Sequence, residues 1–434
     1  MYQSWGRYPH VTQDTAPLFW RGDAFPDTKN KSIIPHGLGR SYGDVCLNDG
    51  NVIIPMRNLN HFISFDTKTG LLTCESGVSL AEIIKLVVPH GWFLPVTPGT
   101  KFVTVGGAIA NDVHGKNHHV AGTFGNHVKS FVLLRSDGNR LICSPNENSE
   151  LYSATIGGMG LTGIILQATI QLIPITNNRI AVTSVKFKCL DDFFALSERF
   201  EKDAAYTVSW IDCMAKGKSL GRGHFMAGNH AGDEAGTVLT VPPDKGIPIP
   251  IDFPEFVLNN LSIKLFNTAY YHRQQVREKS FLADFNSFFY PLDSVLDWNR
   301  VYGKRGLLQY QCLVPYEDTS VIRSILQTIS DSGQGSFLAV MKIMGNIPSP
   351  GIISFSGPGI TLALDFPVTS NVLALFKKLD TIVRSAGGRL YSAKDSCMTA
   401  EDFKVFYPDW ERLVKYIDPR FSSSFWRRVT GEAE

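Results

Sequence analysis

A glycine-rich stretch near the N-terminus has the residue types of a phosphate-binding loop. Residues 35–44 read PHGLGRSYGD, in which Gly37 and Gly39 form a G-x-G pair that would let the backbone approach a pyrophosphate. A dinucleotide fingerprint also needs a glycine where Tyr42 stands and a helix directly after the loop. Turn formers and the strand-like run VIIP follow instead. Two interpretations stay open: a loop that binds phosphate through backbone N–H groups without a helix, and a tight structural turn.

A second block of small residues favours the phosphate-binding interpretation. Residues 98–119 read PGTKFVTVGGAIANDVHGKNHH. Gly106 and Gly107 would let the backbone lie directly against a large planar or extended ligand. Two such loops in one β-rich region suggest an extended cofactor.

Three histidines in the same block raise the question of a metal site. His114, His118 and His119 lie close together in sequence, but Gly115 disfavours a regular helix and no Glu completes an H-E-x-x-H pattern. We therefore predict no metal site.

Composition and charge describe a globular protein of 434 residues, long enough for roughly two or three domains. The formal net charge of +2 gives no whole-protein electrostatic reason to expect a nucleic-acid partner. Seven scattered cysteines, none in a Cys-x-x-Cys pair, indicate free thiols in a reducing compartment. The N-terminus lacks an apolar signal region, and no apolar run reaches the ~18 residues of a membrane span. We expect a cytoplasmic protein whose membrane contacts are peripheral.

The elements that must position these loops follow an α+β pattern. Short β-rich runs dominate the first 175 residues, where Asp137 and Gly138 predict a hairpin turn and Leu80 to Pro89 predicts a helix capped by Ser79. Residues 241–266, rich in proline and apolar side chains without clear periodicity, predict a long surface excursion. Longer elements are predicted in the second part: strands at 206–212, 307–314 and 361–366, and helices at 320–330 and 372–386.

Four motifs, in this order, resemble the decaprenylphosphoryl-β-D-ribose 2'-oxidase family of vanillyl-alcohol-oxidase-type FAD enzymes: HGLGRSYGD, PGTKFVTVGGAIANDVHGKNHHVAGTFGNHV, GGMGLTGII and GGRLYSAKDS. Further matching stretches, WIDCMAKGKSLGRGHF, YPLDSVLDWNRVYGKRGLLQYQ and LALDFPV, extend the resemblance over nearly the whole chain. It implies a two-domain, α+β, PCMH-type FAD-binding fold. The FAD domain would span 1–176, completed by 389–434, and an inserted α+β substrate domain would span 177–388, with a mobile lid within 241–280.

The same resemblance implies an FAD cofactor whose pyrophosphate lies on the opening loop. In some relatives a histidine is attached covalently to the flavin, but the HGKNHH wording matches the branch that holds FAD noncovalently, and we expect noncovalent FAD. The residues that the resemblance assigns to the cofactor are Gly37, Leu38, Gly39, Arg40, Ser41, Tyr42, Gly43, Gly99, Thr104, Val105, Gly106, Gly107, Asn111, Asp112, Val113, His114, Ile165 and Tyr391.

The implied reaction oxidises the 2'-hydroxyl of a polyprenylphosphoryl-β-D-ribose to a ketone by hydride transfer to the flavin. A partner reductase would then give the arabinose form, a precursor of cell-wall arabinan. Lys394 matches the family's active-site lysine and would act electrostatically on substrate and flavin. Gln311 and Lys342 match positions that face the same pocket. Tyr42 and His114 both stay candidates for taking the hydroxyl proton.

Two positions qualify this picture. Ala363 stands where mycobacterial members of the family have an active-site cysteine. Because hydride and proton transfer need no thiol, we expect activity to persist and thiol-directed inhibitors to lose their anchor. Judged from the residues alone, Lys394 would be a surface lysine paired with Asp395.

Two other functions stay open: FAD-dependent oxidation of another sugar, alditol or natural-product alcohol, and a non-catalytic flavin-binding protein. Within the expected lid, basic residues beside the apolar run PIPIDFPEFVLNNL suggest contact with a lipid phosphate and the inner face of a membrane, although a solvated loop fits equally well. These basic residues are Lys264, Arg273, Arg277 and Lys279.

Overall fold

The computed structural model describes residues 2–232, 235–244 and 246–431, so Lys245 of the expected lid and residues 432–434 of the expected C-terminal segment lie outside it. The strands are β1 Asp14–Thr15, β2 Ile33–His36, β3 Val52–Pro55, β4 Phe62–Asp66, β5 Leu71–Glu75, β6 Trp92–Phe93, β7 Val128–Leu134, β8 Arg140–Cys143, β9 Ile164–Gln171, β10 Ile173–Pro174, β11 Ile180–Phe187, β12 Tyr206–Ile211, β13 Gly223–His230, β14 Ile247–Pro248, β15 Glu278–Ala283, β16 Val295–Leu296, β17 Leu307–Val314, β18 Ala339–Met344, β19 Gly359–Pro367 and β20 Arg389–Leu390. The helices are α1 Leu80–Val87, α2 Val105–Ala110, α3 His118–Ala121, α4 Ser149–Thr155, α5 Leu190–Phe200, α6 Asn260–His272, α7 Phe285–Phe289, α8 Thr319–Ser332, α9 Ser370–Ser385, α10 Ala400–Phe406, α11 Trp410–Val414 and α12 Ser424–Thr430.

The N-terminal part contains a three-stranded parallel sheet in the order β1-β3-β2 and a five-stranded antiparallel sheet in the order β4-β5-β9-β7-β8. The predicted hairpin is confirmed, because β7 and β8 pair on either side of the turn at Gly138. The predicted helix is also confirmed: Ser79 caps α1 and forms a capping box with Glu82. Val87 ends α1, and a 3-10 turn over Val88–His90 follows.

An eight-stranded antiparallel sheet dominates the second part, in the order β15-β11-β13-β12-β18-β19-β17-β20. Its two faces differ because successive strand residues point in opposite directions. Leu308 and Tyr310 of β17 and Leu362 and Leu364 of β19 pack into a core shared with α8 and α9. The intervening residues of these strands form the opposite face. The predicted strands and helices of this part are confirmed to within a few residues at each end.

The segment expected to be an aperiodic excursion contains regular structure. Residues 260–272 form α6, which Asn259 caps through its side chain, so the absence of a helix from the prediction was wrong. The helical pattern was hard to recognise because Leu261, Leu265 and Phe266 are exposed rather than buried in a core stripe. Within the described ranges, no helix combines the length and apolar character needed to span a bilayer.

The C-terminal helices bring the end of the chain back to the glycine-rich loop. Arg428 of α12 lies 2.7 Å from Asp44, the last residue of the loop, and 2.9 Å from Asp395, directly after Lys394. Asp44 and Asp395 are buried, so each carboxylate depends on this guanidinium to compensate its loss of hydration. The bridge therefore fixes the loop containing Lys394 against the glycine-rich loop.

Replacing Arg428 by Met is expected to lower the free energy of unfolding by about 3–5 kcal/mol, because two buried carboxylates lose their shared partner. Denaturant unfolding followed by tryptophan fluorescence measures the change. Arg427→Met is the matched control, since among the described residues Arg427 bonds to neutral acceptors on Asn48 and Asp49. The smaller loss expected there is about 1–3 kcal/mol, and equal losses in the two variants would contradict the assigned role of the bridge.

Candidate active site

A cavity of about 730 Å³ lies between the two glycine-rich loops and the face of the eight-stranded sheet opposite α8 and α9. It contains most of the residues singled out from the sequence. Those that line it are Gly37, Leu38, Gly39, Arg40, Ser41, Tyr42, Gly99, Thr104, Gly106, Gly107, Asn111, Val113, His114, Ile165, Gln311, Lys342, Tyr391 and Lys394.

The first glycine-rich loop lies directly against the second. A side chain at Gly37 would clash with the Thr104 hydroxyl, which caps α2 by accepting a hydrogen bond from the Gly107 backbone N–H at 3.2 Å. Gly39 has a φ of +61°, a left-handed conformation that favours glycine. No helix follows this loop; a 3-10 turn over Asp44–Cys46 and then β3 follow, as the sequence pattern predicts.

The turn that carries Lys394 is held by backbone hydrogen bonds on both sides. The Tyr391 N–H donates to the Gln311 carbonyl at 3.0 Å, which continues the edge of the sheet beyond β20. The Tyr42 N–H donates to the Ala393 carbonyl at 2.9 Å. Lys394 Nζ consequently lies 3.9 Å from the centre of the Tyr42 ring, a cation–π distance.

The interpretation of Lys394 as a surface lysine paired with Asp395 is wrong. Lys394 lines the cavity, whereas Asp395 points the other way to Arg428 and accepts from the backbone N–H groups of Cys397 and Met398. Burial lowers the pKa of Lys394, and the negative charge of Asp365 opposes that shift.

His114 and Gln311 are in direct contact on the cavity wall. Gln311 Nε2 lies 3.1 Å from His114 Nε2 and donates to the Thr361 hydroxyl at 3.3 Å. The imidazole also packs against the stacked rings of Phe355 and Tyr391, whose centres lie 5.6 and 5.4 Å away. Burial lowers the pKa of His114 well below its ordinary value, so the ring is neutral at neutral pH.

Lys342 lies further along the same wall. Its ammonium group donates to the Gly115 carbonyl, and burial together with the nearby charge of Lys116 lowers the pKa of Lys342 to about 7. Burial lowers the pKa of Lys116 to about 8, and its Nζ donates to the Phe289 carbonyl at 3.1 Å. Near neutral pH this end of the cavity therefore holds two lysines whose positive charge is poorly solvated.

Sheet register explains why these polar groups converge. Gln309 faces Asp365 and Gln311 faces Ala363 across β17 and β19, while Lys342 of β18 faces Thr361. Cross-strand partners share a face, so all of them lie on the cavity wall. Ala363 therefore occupies the expected wall position with only a methyl group.

Sequence reasoning missed two wall residues, Gln309 and Asp365. Gln309 Nε2 donates to Asp365 Oδ1, whereas Asp365 Oδ2 is buried without a partner in the described part of the chain. The signal was present in the strand period, because Gln309 precedes Gln311 by two residues and Asp365 follows Ala363 by two. The aromatic wall residues Trp5 and Trp298 carry no comparable pattern.

Three residues assigned to the cofactor do not line the cavity. A side chain at Gly43 would collide with the Asp395 backbone, so this glycine serves the contact between two loops. Val105 is fully buried in the core beneath α2. Asp112, at a φ of +41°, accepts from Ser349, Ser354 and the Gly125 N–H, which makes it a loop-bracing carboxylate.

The cavity fits FAD on two observations. The first is that the glycines on one side of the cavity have no room for a side chain. A Cβ at Gly106 would contact Ser76 too closely, and a Cβ at Gly37 would contact Thr104 too closely. The second is that several lining residues have buried polar atoms without a hydrogen-bond partner in the described structure. Buried polar atoms are normally hydrogen-bonded, so these atoms are suited to bind a polar ligand. These atoms are Arg40 Nε, Ser76 Oγ, Asn111 Oδ1 and His114 Nδ1.

Comparison with known proteins agrees with this geometry. Residues 24–144 match the family model described as an FAD binding domain. Over 415 residues the chain is 39% identical to the decaprenylphosphoryl-β-D-ribose oxidase of Mycolicibacterium smegmatis, covering 92% of this chain and 89% of that protein. The chain belongs to the decaprenylphosphoryl-β-D-ribose oxidase family. It is accordingly an FAD-dependent oxidoreductase with the α+β, PCMH-type FAD-binding fold.

More distant relatives share only part of this chain. The L-gulonolactone oxidase of Bos taurus is 32% identical over 148 residues, which cover 34% of this chain and 33% of that protein. The Delta(24)-sterol reductase of Mus musculus is 30% identical over 149 residues, covering 34% of this chain and 28% of that protein. The similarity to the decaprenylphosphoryl-β-D-ribose oxidase of Mycolicibacterium smegmatis, in contrast, covers 92% of this chain and therefore includes the eight-stranded sheet.

Replacing Gly43 by Ala is expected to reduce FAD affinity at least about tenfold, a loss of ~1.4 kcal/mol. A Cβ there would overlap the Asp395 carbonyl oxygen, so the turn that carries Lys394 must move away from the glycine-rich loop. Fluorescence titration of the apoprotein with FAD measures the affinity. Gly22→Ala, where a Cβ meets open space, is the control, and unchanged affinity in Gly43→Ala would contradict this packing argument.

Proposed function

We propose that this protein oxidises the 2'-hydroxyl of a polyprenylphosphoryl-β-D-ribose to the 2'-keto sugar, the first half of an epimerisation to the arabinose form. The observation that carries the proposal is the single cavity in which the FAD-binding loops meet a polar sheet wall, in a chain similar over nearly its full length to a decaprenylphosphoryl-β-D-ribose oxidase. A keto-sugar reductase would complete the epimerisation.

Under this proposal the glycine-rich loops hold the cofactor. Backbone N–H groups around Gly37, Gly39 and Ser41 would bind the pyrophosphate, since a Cβ at Gly37 or Gly39 would clash with its neighbours and no helix follows this loop directly. Asn111 and His114, each with an unpartnered buried atom, bind polar edges of the flavin. We propose noncovalent attachment. FAD held there would supply the acceptor for the hydride of the sugar carbon.

The sheet wall and the C-terminal turn orient the sugar. Gln311 and Lys342 donate hydrogen bonds to its hydroxyl groups, and Lys394 supplies positive charge where negative charge develops during oxidation. Tyr42 and His114 are the groups that take or relay the hydroxyl proton. His114 is suited to accept a proton because burial keeps it neutral, whereas burial raises the pKa of Tyr42 well above its ordinary value and keeps it protonated.

The domain division also belongs to the proposal: an FAD domain over 1–176 and 389–434, and a substrate domain over 177–388. It is supported by the separation of the five-stranded sheet from the eight-stranded sheet and by the return of α12 to the turn after the glycine-rich loop. β20, at 389–390, nevertheless pairs with β17 and makes the C-terminal segment continuous with the substrate sheet.

Residues 241–280 would form a lid over the cavity mouth, where Phe266, Tyr270 and Arg273 of this segment line the cavity. Ion pairs tie it down at two points, from Asp244 to Lys85 and Lys101 and from Asp252 to Arg7.

The outer surface of the lid would contact a membrane that holds the lipid tail of the substrate. Leu261 is 67% exposed and Leu265 62%, and the basic residue Lys264 is exposed between them on α6; Arg277 is exposed further along the segment, just before β15. Apolar side chains flanked by cations match the chemistry of an anionic lipid surface.

Anaerobic addition of a short-chain polyprenylphosphoryl-β-D-ribose is expected to bleach the flavin absorbance of the holoenzyme. Lys394→Ala is expected to slow bleaching at least about a hundredfold, the typical loss on removing one charge-stabilising group. Lys404→Ala is the matched control, because Lys404 also lies over an aromatic ring, 5.5 Å from the centre of Trp410, but outside the cavity lining. An unbleached wild-type flavin would refute the proposed substrate.

Replacing both Leu261 and Leu265 by Ser is expected to reduce flotation with anionic phosphatidylglycerol liposomes several-fold. Each substitution removes an apolar side chain that would insert into the membrane. Ile142→Ser combined with Val405→Ser, two substitutions at residues that are each 50% exposed elsewhere, is the control. Equal flotation of the two double variants would remove the lid surface as the membrane contact.

A further inference from the structure

Asp365 is a buried carboxyl on the cavity wall that the roles above leave unused. Its side chain is almost fully buried, and Gln309 Nε2 donates to Oδ1 while the Asp365 backbone N–H donates to the Ser336 hydroxyl oxygen at 3.1 Å. Oδ2 has no partner in the described residues. One carboxylate oxygen is thus anchored and the other is left for a cation.

Lys394 is the cation that the cavity offers. Asp395, the next residue in sequence, forms its ion pair with Arg428. Lys394 Nζ lies over the Tyr42 ring and has no direct ion pair among the described residues. Asp365 and Lys394 line the same cavity and act on each other electrostatically: the carboxylate raises the pKa of Lys394, and the ammonium lowers that of Asp365, in each case against the larger effect of burial.

We propose that Asp365 is the positioning residue that keeps Lys394 protonated, by placing a carboxylate oxygen that has no partner among the described residues on the wall of the cavity that Lys394 also lines. This rests on the proposed function, in which Lys394 acts as a cation. A lysine in an apolar, water-poor cavity would otherwise release its proton, because burial penalises the charged form. Asp365 offsets that penalty without occupying the ammonium group, which stays available to the substrate and the cofactor.

The other titratable groups that face Asp365 do not take over this task. Tyr42, from the glycine-rich loop, and Tyr302, from the 3-10 turn over Trp298–Tyr302, both have pKa values raised well above the ordinary value by burial. They stay neutral through the pH range in which the lysine titrates. His114, which acts electrostatically on Lys394, also stays neutral because burial lowers its pKa well below the ordinary value. A change in charge among these residues therefore belongs to Asp365 or Lys394.

Sulfite binding to the FAD holoenzyme tests the charge on Lys394 without the substrate. Sulfite adds reversibly to oxidised flavins, and a nearby positive charge tightens the addition. In wild type we expect sulfite affinity to fall as pH rises through the deprotonation of Lys394. In Asp365→Asn that fall should occur about one pH unit lower or more, since an opposite charge nearby shifts a pKa by about 1–3 units. Lys394→Met should lose the part of the pH dependence that belongs to Lys394 and keep the part that comes from sulfite itself and from Lys342 and Lys116 in the same cavity.

Asp380→Asn is the matched control. Asp380 is also a buried carboxyl, with a pKa raised to about 7 by burial, but it accepts from the Tyr310 hydroxyl at 3.0 Å on the helix-packed face of the same sheet. Its replacement should leave the sulfite profile at the wild-type pH. The pH profile of anaerobic flavin reduction by the ribose substrate should shift in Asp365→Asn in the same direction.

A sulfite profile of Asp365→Asn that coincides with wild type would overturn the inference. If Asp365→Asn does not fold, Asp365→Ser removes the same charge with a smaller side chain and is expected to shift the sulfite profile in the same direction. Failure of the proposed function is distinguishable: the wild-type flavin would then resist reduction by the ribose substrate, while the sulfite profiles would still report whether Asp365 controls Lys394.

Discussion

The cavity depends on one guanidinium. Arg428 joins Asp44 and Asp395, carboxylates that come from opposite ends of the chain, the first as the last residue of the glycine-rich loop and the second directly after Lys394. Neither segment has regular secondary structure that would fix it alone. Because both carboxylates are buried, the bridge makes the approach of the two segments the arrangement in which their charges are compensated. Lys394 is placed over Tyr42 as a consequence.

The sheet contributes the second constraint. In β17 and β19 each residue faces either α8 and α9 or the cavity, and the residues before and after it in the strand face the opposite side. In β17 and β19 the apolar residues pack on α8 and α9. This packing is sufficient to place the alternate residues Gln309, Gln311 and Asp365 on the cavity wall. The polar wall is held by the apolar core behind it, although the two share no side chains.

Local patterns predicted most of the elements, and motif resemblance predicted most of the cavity lining. The capping box of Ser79 and Glu82 and the turn at Asp137 and Gly138 each depend on interactions within a few residues, so both could be predicted from the sequence. The partner of Asp395 could not be predicted in this way. Its neighbour Lys394 is adjacent in sequence, whereas Arg428 is 33 positions away and becomes the partner only after the C-terminal helices pack.

Helix α6 and Asp365 show two further limits. The periodicity of α6 was hidden because its apolar residues are exposed rather than gathered in a buried stripe. Asp365 sits in an apolar strand, LALDFPV, where a carboxylate has no local explanation. Its significance follows only from the register that sets it beside Gln309 and within the field of Lys394.

Because side chains alternate between the two faces of the sheet, insertions and substitutions in its strands have different consequences. A slip of one residue in β18 would exchange Lys342 for Met341 at the cavity and bury an ammonium group among the helices, so insertions within the strand are barred. Substitution at a wall position carries no such penalty. Ala363, with a single methyl group between Gln311 and Val340, lines the cavity, and a larger side chain there would reshape it. The shape of the cavity can therefore change one wall residue at a time while the packing behind the wall stays the same.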